Sequence, residues 1–247
     1  MLGEVIAVLS GKGGTGKTSV CAGVAVALAA EGKRVLCIDC DVGLRNLDIS
    51  LGMSDCGALS FLDVSEGNYP LSDAMPHPEF PGLRFLTAPM NRPVENVDSA
   101  AFGAMVRQAK KEYDYIFLDA PAGVDAGFRL VSDSADRFLL VTGAGPAAVR
   151  DAARVADLLE IGGKQNVRLV VNRVSRSMMR AVAMTVDDVM DTAGLPLLGV
   201  VLEDSNVILA AAFGKCLELY NDAAPAARAY RNIALRLQGY SKPITFR

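Results

Sequence analysis

Short, continuously apolar segments recur along this sequence, and they constrain the fold more than any other feature. A half-exposed strand alternates apolar and polar residues, whereas most of these segments are apolar at consecutive positions. Strands of that kind are buried on both faces, as in a parallel sheet that helices cover on each side. The segments lie at residues 5–10, 35–39, 83–86, 115–119, 138–142, 167–171 and 197–201.

Helical patterns separate these strands, at residues 19–30, 99–111, 147–160 and 186–193. The alternating βαβα order predicts an α/β fold with a doubly wound, mostly parallel sheet. No Pro-, Gly- or Ser-rich linker divides the chain, so we expect a single domain over residues 1–247. The least regular part, residues 51–81, is expected to form helix-and-loop excursions at one edge of the sheet.

The composition narrows the function classes. With 25 basic and 28 acidic residues the net charge is -3, so nucleic acid is not an expected partner. Non-specific binding to nucleic acid requires clustered Lys and Arg that displace counterions. No apolar run reaches the ~18 residues that span a bilayer, and no secretory signal is recognisable, so we expect a cytoplasmic protein.

The cysteines and the single histidine favour structural roles. Cys37 and Cys40 form a CxxC pair, but a separation of three on a strand directs their side chains to opposite faces. The five cysteines are an odd, scattered set, which does not form a disulfide framework. His77 lies in a proline-flanked loop, where we expect an exposed imidazole without a ligand role.

The first strand runs into a glycine-rich loop that precedes a helix. Its sequence, Gly11-Lys-Gly-Gly-Thr-Gly-Lys-Thr18, fits the phosphate-binding pattern G-x-x-x-x-G-K-[ST]. Glycines let the backbone turn its N–H groups around phosphate oxygens, and the helix N-terminus adds a partial positive charge. We expect Lys17 to reach the β- and γ-phosphates and Thr18 to bind Mg²⁺. The predicted nucleotide-binding residues of this loop are Gly11, Lys12, Gly13, Gly14, Thr15, Gly16, Lys17, Thr18 and Ser19.

A second lysine, Lys12, directly follows Gly11, and an ordinary phosphate loop has no need of it. The K-G-G-x-G-K-[ST] arrangement resembles the deviant Walker A ATPases, a family that includes MinD, ParA, the nitrogenase iron protein and the arsenite-pump ATPase. In that family the signature lysine reaches the partner's phosphates across an ATP-bound sandwich dimer. The resemblance therefore implies that Lys12 supplies positive charge in trans, as an arginine finger does elsewhere.

Carboxylates follow two other strands, at the sheet edge where open α/β folds bind their ligands. After the second strand we expect Asp41 to orient the attacking water and Asp39 to support Mg²⁺ from the outer sphere; alternatively, one of the two caps a turn. Asp48 is interpreted as structural, and Asp119 stands in the Walker B position, where it would hold Mg²⁺ through a water. Phosphoryl transfer requires mainly positioning and charge neutralisation. The predicted catalytic residues are Lys12, Lys17, Asp41 and Asp119, and the predicted metal-site residues are Thr18, Asp39 and Asp119.

The sixth strand leads into Asn172 and Arg173, the candidates for the base. An Asn amide can donate and accept at once, which matches N7 and the exocyclic N6 of adenine. The NKxD pattern common in guanine recognition is absent, so we expect ATP rather than GTP. Residues 201–204, at another strand end, are a weaker candidate for backbone contact with the base.

Several stretches together resemble the MinD branch of the family over nearly the whole chain: SGKGGTGKT, DCDVGLRNLD, YDYIFLDAPAG, AVRDAARVADLLE, VVNRV, LPLLGVVLED and YRNIALRLQG. The resemblance implies an ATP-driven homodimer that binds membrane, takes regulatory partners of the MinC or MinE kind and places the cell-division site. The chain departs from the family pattern at Gly23, Ala120, Ala144, Gly145 and Leu202. These departures spare the phosphate chemistry and concern partner binding and the dimer surface.

The C-terminal segment helps to choose between two cellular roles for such an ATPase, placement of the cell-division site and positioning of another apparatus. MinD proteins end in an amphipathic membrane helix, whereas the helix expected here over residues 225–238 has a narrow apolar stripe and is followed by a short tail, 239–247. We expect the stripe (Ala226, Tyr230, Ile233, Leu237) to pack on the domain; the alternative is a basic helix at the inner face of the membrane. A MinD-like protein that positions a flagellar, pilus or other apparatus is therefore a second hypothesis. A metal-cluster carrier of the iron-protein type is disfavoured, because no cysteine lies between Cys56 and Cys216.

Overall fold

The sheet of the computed structural model, which describes residues 2–90, 92–181 and 183–244, is mostly parallel. Its strands are β1 (Glu4–Leu9), β2 (Val35–Asp39), β3 (Met75–Pro76), β4 (Leu83–Leu86), β5 (Tyr115–Asp119), β6 (Arg137–Thr142), β7 (Val167–Val174) and β8 (Leu197–Leu202). They lie in the order β3-β4-β2-β5-β1-β6-β7-β8, and only β3 runs antiparallel to its neighbour. The doubly wound α/β fold is thereby confirmed. The two-residue strand β3 was not predicted, because no apolar run marks it.

Helices cover both faces of this sheet. They are α1 (Lys17–Ala30), α2 (Leu47–Leu51), α3 (Phe61–Ser65), α4 (Ser99–Glu112), α5 (Ala126–Ser134), α6 (Pro146–Ile161), α7 (Arg176–Ala181), α8 (Val186–Ala193), α9 (Ser205–Ala212), α10 (Leu217–Tyr220) and α11 (Pro225–Leu237). The short helices α2, α7 and α10 were missed, since four to six residues carry too little periodicity. The helices α5 and α9 were not predicted either, whereas α3 lies in residues 51–81, where helix-and-loop excursions were expected. No helix in the described part of the chain combines the length and apolar character needed to cross a bilayer.

Alternate residues of the central strand enter two separate cores. On β1, Ile6 and Val8 pack with the α1 side, whereas Ala7 and Leu9 pack on the opposite side, and all four are buried. This double burial is the reason that the strand sequences lack alternation. Cys37 and Cys40 likewise fall into opposite cores as expected, and every described cysteine is free.

The terminal helix α11 packs on α1 and β8. Its stripe of Ala226, Tyr230, Ile233 and Leu237 is buried, which confirms the packing interpretation. A Cβ added to Gly23 would lie 2.1 Å from the ring of Tyr230, so the absence of a side chain at this α1 position permits the close approach. Asp204 fixes the start of α11 by accepting the N–H of Ala226 at 3.0 Å.

The expectation of an exposed His77 is wrong. The side chain is only 3% exposed, and its Nε2 lies 2.9 Å from the carbonyl oxygen of Leu51. Its Nδ1 accepts the N–H groups of Glu79 and Phe80, which closes the turn after β3. Because both ring nitrogens have partners, the neutral imidazole can be buried, and burial lowers the pKa of His77. The residue joins the edge segment to the end of α2.

Candidate functional site

The glycine-rich loop follows β1 at the carboxyl edge of the sheet. Gly14 and Gly16 have φ angles of +79° and +82°, a region that favours glycine. A Cβ added to Gly16 would lie 2.2 Å from Asn172 Nδ2, so only glycine allows β7 to approach the loop. The helix α1 begins at Lys17, two residues earlier than predicted, and the loop therefore leads directly into a helix N-terminus.

A buried ion pair lies at the base of the loop. Lys17 Nζ lies 2.6 Å from Asp119 Oδ1, and the two side chains are 7% and 1% exposed. Burial acts to lower the pKa of Lys17, but the charge and hydrogen bond of Asp119 outweigh it and hold that pKa above its usual value. Burial also acts to raise the pKa of Asp119, against Lys17 and a hydrogen bond from Thr18. With so short a direct contact we regard the pair as charged.

Asp39 is the neighbour of Asp119 across the β2–β5 register, and it organises the loop that follows β2. Its two carboxylate oxygens accept the N–H groups of Asp41 and Leu47, at 2.9 and 3.1 Å. Burial and the charge of Asp119 raise the pKa of Asp39 to about 7. A cation at this edge would favour the charged form. Asp41 stands half-buried at the start of the loop, where its Oδ1 accepts the N–H of Gly43 at 3.3 Å.

Asn172 and Arg173 brace the glycine-rich loop from β7. Asn172 Nδ2 donates to the carbonyl oxygens of Thr15 and Gly16, at 2.8 and 3.4 Å. Arg173, with φ +54°, donates from Nη1 to the carbonyl oxygen of Gly14 at 3.1 Å. Because the amide nitrogen of Asn172 is used in this way, its carbonyl oxygen is the atom left to contact a base. This bonding changes the prediction for Asn172 from a donor-and-acceptor contact with the base to an acceptor contact alone.

A cleft of about 350 Å³ adjoins this brace. Asn172 and Ser19 line it together with residues 201–205, so the two candidate base segments of the sequence meet in one place. The structure adds Tyr230 of α11 to its wall. The sequence pattern marked Tyr230 as a packing residue, and nothing in that pattern showed that α11 borders the cleft.

A second cleft, of about 490 Å³, lies on the other side of the loop. Lys12 is exposed and lines this cleft, whereas the buried Lys17–Asp119 pair does not. Residues 143–146 form the facing wall, and the small Ala144 and Gly145 leave it open. The hydroxyl of Thr15, which borders this cleft, is the buried side-chain polar atom for which the described residues provide no partner.

The donor set fits a nucleotide with Mg²⁺. A Cβ added to Gly13 or Gly14 would meet nothing within 4 Å, so the loop offers open space beside its backbone. The described residues contain no group of three or more His, Cys, Asp or Glu that could hold a metal alone. Magnesium does not need one, because it binds through one or two carboxylates together with phosphates and waters. The sequence predicts Thr18 and Asp119 as such ligands, and the structure brings the two side chains within hydrogen-bond distance of each other.

Comparison with known proteins agrees with this geometry. The profile of the CobQ/CobB/MinD/ParA nucleotide binding domain matches residues 6–217. The chain is 37% identical to the septum site-determining protein MinD of Bacillus subtilis, over 98% of this chain and 92% of that protein. It is 36% identical to the MinD of Synechocystis, with the same coverage of both.

Solved structures give the same result. A MinC:MinD cell division protein complex of Aquifex aeolicus matches with a TM-score of 0.90 and 35% identity, over 98% of this chain and 99% of that chain. The MinD of Pyrococcus horikoshii complexed with Mg-ADP matches with a TM-score of 0.84 and 28% identity, over 96% of both chains. From its fold, its phosphate loop and these relatives, the chain belongs to the MinD/ParA family of nucleotide-binding ATPases.

Proposed function

We propose that this chain is an ATPase that dimerises with ATP and acts as a MinD-like spatial regulator of cell-division site placement. One observation carries the proposal: the glycine-rich loop, the Lys17–Asp119 pair and the cleft walled by Asn172 meet at one edge of the sheet. The relatives at 36% and 37% identity are septum site-determining proteins, which supports the cellular role. We treat residues 1–247 as one ATPase domain.

The loop and its lysine bind the phosphates. Lys17 Nζ lies 2.6 Å from Asp119 Oδ1. The ammonium group can therefore contact a phosphate only if it bonds Asp119 and the phosphate together, or if it breaks its bond to Asp119. Breaking the bond would leave the buried Asp119 carboxylate without a positive charge beside it, which is costly unless another cation takes the place of the lysine. Mg²⁺, when bound beside Thr18 and Asp119, supplies that charge and polarises the phosphate oxygens. Gly11 to Ser19 provide the backbone N–H groups and hydroxyls around the triphosphate.

Asp41 is proposed to orient the attacking water. The loop that carries it is fixed at both ends by Asp39, through the N–H groups of Asp41 and Leu47. Asp39 therefore acts as a support for the loop as well as a charge near the metal. Placement of the attacking water by a side chain is one of the two main contributions to phosphoryl transfer to water, beside charge neutralisation.

The exposed Lys12 supports a homodimer. A lysine at the rim of an open cleft, beside the phosphate loop but not bonded to Asp119, is placed to serve the nucleotide of a second copy. The Aquifex relative is solved as a MinC:MinD complex, which supports a MinC-like regulatory partner for this chain. We propose a cytoplasmic protein, with peripheral attachment to the inner face of the cell membrane as its alternative location.

The test of the ATPase is phosphate release from ATP and Mg²⁺. We expect hydrolysis by the unaltered chain and a loss of at least tenfold in kcat for Asp41→Ala, with ATP binding retained. Asp48→Ala, in the same segment, is the matched control and should hydrolyse normally, because within the described residues the Asp48 carboxylate accepts only the N–H of Ile49. No hydrolysis by the unaltered chain, or equal loss in both variants, would overturn this assignment.

Liposome co-sedimentation separates the two cellular roles. With Asp41→Ala trapped on ATP, a MinD-type protein should sediment with anionic liposomes and remain in solution with ADP. A dimer that ignores the liposomes supports the second hypothesis, a MinD-like protein that positions a flagellar, pilus or other apparatus. The buried stripe of α11 gives that hypothesis some weight, since it leaves no apolar face on this helix for a bilayer.

A further inference from the structure

One residue of the loop that carries Asp41 has an unfavourable backbone conformation. Arg45 has a φ of +46°, in the left-handed region that residues with a Cβ rarely adopt. Such a conformation persists only where surrounding contacts hold it. The side chain of Arg45 makes such a contact.

That contact is the hydroxyl of Thr87. Arg45 Nε donates to Thr87 Oγ1 at 3.0 Å. Thr87 follows β4 and is 4% exposed. Its own N–H donates to Leu59 at 2.9 Å and its carbonyl oxygen accepts from Phe61 at 2.8 Å, so the hydroxyl is a fixed acceptor on a rigid part of the sheet.

Arg45 is joined in turn to Asp41. The carbonyl oxygen of Asp41 accepts the N–H of Arg45 at 3.2 Å, so the two residues close one turn of the loop. Asp39 holds the two ends of that loop, and the Arg45–Thr87 bond holds its middle. These bonds link the backbone of Asp41 to the Thr87 hydroxyl, which lies 42 residues from Arg45 along the chain.

We propose that Thr87 is a positioning residue for ATP hydrolysis, which acts through Arg45 to keep Asp41 aimed at the attacking water. The proposal rests on the proposed ATPase function. A positioning role differs from a packing role in the group it requires. Positioning requires the hydroxyl group of Thr87, whereas packing requires its methyl group.

Two substitutions separate these roles. Thr87→Val keeps the volume and removes the acceptor, whereas Thr87→Ser keeps the acceptor and removes the methyl group. We expect Thr87→Val to lower kcat about three- to tenfold with KM for ATP within twofold, because the phosphate loop is untouched. Thr87→Ser should retain a kcat within twofold of the unaltered chain. The opposite order of the two variants would assign Thr87 to packing and overturn the proposal.

A second readout does not depend on turnover. Amide hydrogen exchange of residues 41–46, measured without nucleotide, should become faster in Thr87→Val but not in Thr87→Ser, with exchange of the β1 amides unchanged. Unchanged exchange at residues 41–46 in Thr87→Val would overturn the proposal. Faster exchange throughout the chain would indicate general destabilisation and would also overturn it. If the unaltered chain hydrolyses no ATP, the proposed function fails, and this exchange result still decides whether Thr87 fixes the loop.

A double-mutant cycle completes the test. If Thr87 acts only through Arg45, Thr87→Val should add nothing to the kcat loss of Arg45→Ala. Additive losses in the double variant would show that the two residues act separately, against the proposal.

Discussion

At the scale of single residues, Asn172 braces the glycine-rich loop and borders the cleft beside it. Its place after a buried strand marked it as a base contact, and the structure puts it in the cleft with residues 201–205. The sequence did not show that its amide nitrogen braces Thr15, since that bond joins residues 157 positions apart. The phosphate-loop pattern identified Lys17, and the pairing of Lys17 with Asp119 likewise followed only from the fold.

The brace leads to a prediction about nucleotide choice. The side-chain carbonyl oxygen of Asn172, for which the described residues show no donor, can accept from the exocyclic amine of adenine but would face another acceptor, O6, in guanine. A lost hydrogen bond with an unpaired acceptor costs about 1–3 kcal/mol, so ATP should bind about 5- to 150-fold more tightly than GTP. Isothermal titration calorimetry with each nucleotide and Mg²⁺ measures this, and affinities within twofold of each other would exclude the assigned role.

At the scale of elements, packing of the long helices was predictable and the connections at the sheet edge were not. The stripe of α11 predicted its burial, because helical spacing alone places those residues on one face. By contrast, the buried state of His77 depends on a turn in which Glu79 and Phe80 donate to the ring, a contact that no periodicity encodes.

The contact between α1 and α11 can be tested with two glycines. Gly23→Ala should lower the free energy of unfolding by about 1–3 kcal/mol, because its Cβ would lie 2.1 Å from the Tyr230 ring. The displaced ring should also weaken ATP binding, since Tyr230 lines the cleft beside Asn172. Gly103→Ala in α4 is the control, where the nearest atom is the flexible end of Arg107 at 3.2 Å. Urea unfolding should show little change or a small gain for this control; equal effects of both variants would refute the contact.

His77 should make stability fall in acid. Its pKa is lowered in the folded chain, so between its unfolded value, about 6.5, and its lower folded value the unfolded chain binds the extra proton and stability drops as pH falls. Asp39, with its raised pKa, acts in the opposite direction over an overlapping range: its contribution is lost as pH rises through about 7. The contribution of His77 to the pH dependence of stability can be separated from that of Asp39 by comparing the unaltered chain with a variant that has a neutral side chain at position 77.

That variant is His77→Gln, and the chain has no other histidine. At pH 7.5 it should be about 1–3 kcal/mol less stable in urea unfolding, because the part-buried N–H groups of Glu79 and Phe80 lose the acceptor that the imidazole provides. The difference from the unaltered chain should shrink as pH falls from 7.5 to 5.5. A difference that stays constant with pH would show that His77 does not titrate in this way.

At the scale of the whole molecule, the sheet places every candidate group at one edge. The parallel arrangement followed from continuously apolar strands that alternate with helices, and the carboxyl ends of β1, β2, β5, β7 and β8 bring the glycine-rich loop, Asp39, Asp119, Asn172 and residues 201–204 together. The ammonium group of the exposed Lys12 bonds to no group in the described part of the chain. Its use in a second copy is therefore the central claim.

Sedimentation velocity tests that claim most directly. Asp41→Ala, which should bind ATP without hydrolysing it, is measured with ATP and with ADP, alone and combined with Lys12→Ala. Lys111→Ala, an exposed lysine on α4, serves as the control. We predict a dimer of Asp41→Ala with ATP and a monomer with ADP, with the ATP dimer retained in the Lys111 control and lost in the Lys12 combination. A chain that stays monomeric with ATP in every variant would contradict the account. An ATP dimer that persists after Lys12→Ala would also contradict it.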